Sequence, residues 1–96
     1  MNQVFSSALI EKQLLSRLPF WTVKQGELNR VIVFDSQSEK CVFINRVFSF
    51  AEQHHHHPTL WINHLEIRIN LFTHDSNGIT EKDFVLAEEI NNFLKK

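Results

Sequence analysis

The sequence contains no tyrosine, one cysteine, two glycines and two prolines in 96 residues. A lone Cys41 excludes an intrachain disulfide and fits a reducing compartment. So few Gly and Pro leave little material for linkers, and most of the chain is expected in regular elements. No apolar run approaches the length of a membrane span. Near the N-terminus, Glu11, Lys12 and Arg17 interrupt the apolar residues before a signal-peptide core can form. Positive charge is scarce too: the net charge is −1 and the Lys and Arg are scattered, so no phosphate-binding footprint stands out. These absences predict a cytoplasmic protein of one domain, residues 1–96, with no direct nucleic-acid partner and no membrane partner.

What the sequence does have is aromatic and apolar bulk, with nine Phe, two Trp and 43% hydrophobic residues. That argues against disorder. A chain this short buries only roughly 60–65% of its unfolded surface, so contacts between subunits are expected to supplement the core.

Apolar residues Phe5, Leu9, Leu14, Leu15 and Leu18 predict an amphipathic helix that Pro19 ends. Trp21–Val23 and Leu28–Phe34 read as the strands of a hairpin turning at Lys24–Glu27 around Gly26. Ser36 and Glu39 form a capping-box pattern opening a helix. Its apolar residues Val42, Phe43, Ile44, Val47, Phe48, Phe50 and Ala51 sweep about 240° of surface, more than one core-facing stripe. An oligomer interface is the preferred explanation, and full burial within the monomer is the other. Pro58 is expected to stop this helix or its tail. Cys41 is expected to be a small buried core residue. Leu60–His64 reads as a short extended stretch, and Leu65–Phe72 alternates as a half-buried strand. A turn at Ser76–Gly78 leads to a last helix capped by Thr80 and Asp83, with Phe84, Ala87, Ile90 and Leu94 on its buried face. The order α-β-β-α-β-β-α predicts an α+β fold, a four-stranded antiparallel sheet with helices packed on one face.

All six histidines, His54, His55, His56, His57, His64 and His74, lie between positions 54 and 74. An added tag is a poor explanation, because the run is internal and flanked by native-looking elements. A metal site needs converging ligands, and four consecutive histidines cannot converge from regular structure. A set such as His54, His57 and His74 leaves that chemistry open. The third reading is acid–base catalysis, since the unperturbed pKa of imidazole suits proton transfer near neutral pH.

The surrounding pattern favours the third reading. Glu52-x-x-x-His56-His57-Pro58, then Thr73-His74-Asp75-x-x-Gly78-Ile79-Thr80-x-x-Asp83, resembles the signature of the pterin-4a-carbinolamine dehydratases. Leu18-Pro19-x-Trp21, Leu28-x-Arg30 with Phe34, and Arg46-Val47-x-x-x-Ala51-Glu52 extend the resemblance over roughly Leu14 to Leu94. It implies an α+β protein that assembles into a homodimer or homotetramer. It also implies conversion of 4a-hydroxytetrahydropterins to quinonoid dihydropterins and water, in tetrahydrobiopterin recycling, with no metal and no organic cofactor.

By the same resemblance, His56, His57 and His74 are the catalytic positions. Glu52 lies one helical turn before His56 and shares its face if the helix persists, placing it to fix a tautomer or hold the pterin. Asp83 is grouped with Glu52 and Trp61 as a substrate-binding position, and it has two equally weighted local roles, orienting a histidine or capping its helix. Trp61 is assigned to the pterin pocket, whereas Trp21 reads as core. His54 and His55 match no motif position and read as solvent-facing residues at a fraying helix end. The strand Leu60-Trp61-Ile62-Asn63-His64-Leu65 departs from the aromatic-Asn-x-Tyr-Asn pattern of the family, which bears on pocket shape. Some members of this family also bind a transcription factor through helix surfaces. The alternative function is therefore a protein-binding module acting as a coactivator, through an apolar arc around Phe43, Val47 and Phe50.

Overall fold

Alternating apolar residues and short turns build a four-stranded antiparallel sheet in the computed structural model, which describes residues 3–95. The elements run α1 (Ser7–Arg17), β1 (Thr22–Lys24), β2 (Glu27–Val33), α2 (Gln37–His54), β3 (Thr59–Ile62), β4 (Glu66–Leu71), a turn of 3-10 helix (His74–Ser76) and α3 (Glu81–Leu94). The sheet order is β1-β2-β4-β3, and every pairing is antiparallel. The expected α+β architecture is therefore present in the expected order.

The β1–β2 hairpin turns at Gln25 and Gly26, whose φ values of 51° and 79° are both left-handed. Two consecutive left-handed residues suit the twist of the flanking strands. On β4, Ile67, Ile69 and Leu71 are fully buried while Glu66 and Arg68 are exposed, the period-two pattern of a half-buried strand. Leu28 and Ile32 of β2 join them on the helix-facing side with Phe43, Val47, Phe84, Leu86, Ala87 and Ile90. The opposite face keeps Val31, Val33 and Trp61 exposed.

Helix α1 buries a different stripe from the expected one. Ser6 caps it by accepting from Leu9 N, and Phe5, before the cap, packs its ring against Phe84 at 5.3 Å. Ile10 and Leu14 then reach the core at i, i+4 spacing, whereas Leu9 is exposed and Leu15 is 91% exposed. Arg17 fastens the helix to α3 through paired bonds to Glu81 and Glu88, all 2.8–2.9 Å.

Helix α2 also differs. Ser36 Oγ accepts from Glu39 N as a cap should, but the Glu39 carboxylate reaches back to Asp35 N rather than Ser36 N. Lys40, Phe43, Val47 and Ala51 form one buried stripe. Phe43 and Val47 therefore belong to the core and Phe50 is half-buried, so the exposed apolar arc is Val42 and Phe48 instead. Cys41 is exposed, because at 100° per residue it falls outside the Phe43–Val47 stripe. The Lys40 ammonium donates to the carbonyls of Asn63 and His64, tying the helix to the β3–β4 turn.

Candidate active site

Helix α2 ends four residues before Pro58, so proline does not stop it. His55 takes a left-handed conformation (φ 51°), its N–H donates to Glu52 O, and His56 N donates to Ala51 O. This pair of backbone bonds is a Schellman motif, which closes the last carbonyls and turns the chain sharply. As a result His56 points into the protein, and Glu52 and His56 no longer share a helical face. Glu52 instead meets His57, with Oε2 2.9 Å from Nε2, and both side chains are exposed.

His56 is 7% exposed and sits 2.5 Å from the fully buried Asp83, Nε2 to Oδ1. An ionised carboxylate only accepts, so His56 Nε2 carries the proton and Nδ1 is the remaining nitrogen. The other oxygen, Oδ2, accepts from Thr80 N at 2.9 Å and from Thr73 Oγ1 at 2.8 Å. Since Thr73 spends its hydroxyl proton on Asp83, the 2.8 Å contact between the two threonines is donated by Thr80. Thr80 Oγ1 in turn accepts from Lys82 N. One carboxylate thus completes the capping box of α3 and contacts a histidine, and being fully buried it presents no surface to a substrate.

This network also places His74. Thr73 forms an isolated bridge with Gly78 across the turn, and its side chain anchors it to Asp83. The next residue, His74, begins the 3-10 turn with its ring exposed and edge-on to Phe72 at 5.0 Å. Gly78 leaves room there for the N-terminal segment that crosses the turn: a Cβ would lie 2.5 Å from Val4 Cγ1, so the Val4 side chain would have to move.

The other predicted positions lie apart. Trp61 stands on the uncovered sheet face with the Arg68 guanidinium 5.4 Å from its ring, and among the described residues no contact joins it to the histidines. His54 is not a free surface residue: it is half-buried, with Nε2 2.8 Å from Glu89 Oε1 on α3. His55 is exposed as expected, and His64 is exposed beside Gln37. Among the described residues, no three His, Cys, Asp or Glu side chains are grouped so as to hold a metal ion. Sequence reasoning gave no role to Thr73, although its place before His74 in the motif was the available signal.

A sequence model of the family described as Pterin 4 alpha carbinolamine dehydratase matches residues 3–93. The chain belongs to this family. A relative from Acidobacterium capsulatum, provisionally named a pterin-4-alpha-carbinolamine dehydratase, is 38% identical over 94 residues, covering 98% of this chain and 100% of its own. Another from Mycolicibacterium smegmatis with the same provisional name is 40% identical over 80 residues, 83% of this chain and 85% of its own. A crystal structure from Brucella melitensis, described as a transcriptional coactivator/pterin dehydratase, superposes with a TM-score of 0.89 at 24% identity. It covers 94% of this chain and 97% of that one, and it shares the fold. Within the family's matched span lie all three motif histidines, Asp83 and Thr73. No helix of the described residues is long and apolar enough to cross a membrane.

Proposed function

We propose that this member of the family dehydrates a 4a-hydroxytetrahydropterin by acid–base catalysis at His56, His57 and His74. One imidazolium gives a proton to the leaving hydroxyl as the C4a–O bond breaks. A second imidazole takes the proton from the neighbouring ring nitrogen, whose electron pair forms the new C=N bond. Water and a quinonoid dihydropterin are the products. The observation that carries this reading is the buried His56–Asp83 pair, set against an exposed His57–Glu52 pair. The reaction needs one group to give a proton and another to take one, and the two pairs supply separate imidazoles for those steps. Both protons move through imidazoles, so the proposal calls for no metal and no organic cofactor.

The test follows a 4a-hydroxytetrahydropterin by ultraviolet absorbance across about pH 5 to 9, where two coupled groups produce a bell-shaped profile. We expect wild-type turnover well above buffer and a sharp fall in His56→Ala and His74→Ala. A wild-type rate equal to the uncatalysed background would defeat the proposal.

A second reading is a protein-binding module, favoured by Val42 and Phe48, which leave α2 with an exposed apolar side. Here a second copy or a transcription factor would cover that side, independent of the histidines. Partner capture undiminished in His57→Ala but lost in Phe48→Asp would support it.

A further inference from the structure

We propose a binding site for a small aromatic anion, a phosphate monoester or a carboxylate of a flat ring, in the cleft that Phe20 and Arg30 line together. This site is separate from the histidines. It occupies a cleft of about 430 Å³ where the α1–β1 turn meets the C-terminal half of α3. That volume falls in the range of small-molecule sites.

The first support is charge. The Arg30 guanidinium is half-buried and makes no ion pair among the described residues. Its Nη1 donates to Asn91 Oδ1, its Nε is buried without an acceptor, and its Nη2 is neither buried nor bonded. Burial lowers its pKa, since among the described residues no carboxylate pairs with it to offset the desolvation. Arg17 and Glu88 also line the cleft but pair with each other, and Glu81, the second partner of Arg17, does not line it. Among the described residues, Arg30 and exposed Lys95 are therefore the cations lining the cleft that make no ion pair, in a chain of net charge −1. Guanidinium groups recognise phosphate and carboxylate with paired donors.

The second support is Phe20. It is 77% exposed, yet it adopts φ 76° in the turn that Trp21 N closes on Leu18 O. That left-handed position favours glycine, and a bulky residue there is costly. Burial does not explain the choice. The ring instead holds the Arg30 guanidinium 4.9 Å from its centroid and forms the apolar wall of the cleft. Backbone strain of this kind gathers at ligand sites. Asn91 fixes the floor by accepting from Trp21 Nε1 at 2.7 Å and donating to Pro19 O at 3.0 Å.

The experiment is an NMR titration of the full chain with phenyl phosphate, with phenol and inorganic phosphate as controls. We expect saturable shifts at the Arg30 and Asn91 side chains and at the Phe20 amide. Each control should bind at least about tenfold more weakly, since each lacks half of the ligand. Phe20→Gly relieves the turn, and Arg30→Gln keeps a donor toward Asn91, so both variants should fold. Each should weaken phenyl phosphate at least about tenfold. His74→Ala should bind it as wild type, which separates this site from the dehydratase reading. Shifts confined to the histidines, binding unchanged in both variants, or no saturable shift at all would overturn the proposal.

Discussion

Asp83 holds His56 through one carboxylate oxygen and caps its own helix through the other. The orientation of a candidate catalytic imidazole and the start of α3 thus depend on a single buried side chain. Asp83→Asn separates the two functions, because an amide can still accept from Thr80 N but also presents a donor toward His56 or Thr73. We expect turnover to fall by about 10- to 100-fold, as when partners that orient a catalytic imidazole are removed. Asp83→Ala leaves the Thr73 hydroxyl and Thr80 N–H without their acceptor and should cost about 2–4 kcal/mol of stability, read by urea denaturation. Equal loss of activity and of folding in Asp83→Asn would assign the residue to architecture alone.

The exposed Glu52–His57 pair should behave oppositely. Surface ion pairs contribute little because water screens them. Glu52→Gln is therefore expected to leave the urea midpoint unchanged. If Glu52 positions His57 or the pterin, the same variant lowers kcat or raises KM. A variant indistinguishable from wild type in both measurements would remove Glu52 from the site.

The architecture was legible because its signals are local. Alternation along β4 and the Thr80/Asp83 capping box each need only a few residues, and both appear as read. The arrangement of the site was less so. Whether Glu52 faces His56 or His57 depends on His55 adopting a left-handed conformation, which histidine permits but does not announce. The His54–Glu89 and Asp83–Thr73 contacts join residues whose proximity depends on how α2, α3 and the β4 turn pack. Cys41 and Val42 illustrate the same limit, since an apolar-rich helix does not reveal which side meets the sheet until the sheet is in place.

Glu88 gives a pH prediction. Its hydrogen bonds with Arg17 hold its pKa below the ordinary 4.5, outweighing the desolvation that raises it. A carboxylate with a depressed folded-state pKa adds stability above its unfolded pKa and loses it as pH falls through the folded one. The stability difference between wild type and Glu88→Gln should thus be largest near neutral pH and shrink below about pH 4.5. Because the pair is partly exposed, salt should shrink it too. Urea denaturation at several pH values provides the measurement, and a difference that grows on acidification would contradict the assignment.

Phe43 and Phe48 lie five residues apart on α2 and should respond very differently. Phe43 is buried between the rings of Phe34 and Phe93, with centroids 5.2 and 6.3 Å away. Truncating it leaves a cavity in the centre of the core, so Phe43→Ala should cost about 3–5 kcal/mol. Phe48 is 49% exposed, and within one chain Phe48→Ala should change stability by less than about 0.5 kcal/mol. Measuring both variants across a range of protein concentrations isolates what covers α2. If a second copy packs on this side, Phe48→Ala destabilises the protein in a concentration-dependent way and shifts its sedimentation toward the monomer. A concentration-independent and negligible effect would mean that Phe48 faces water in the isolated protein, leaving that side of the helix free for another partner.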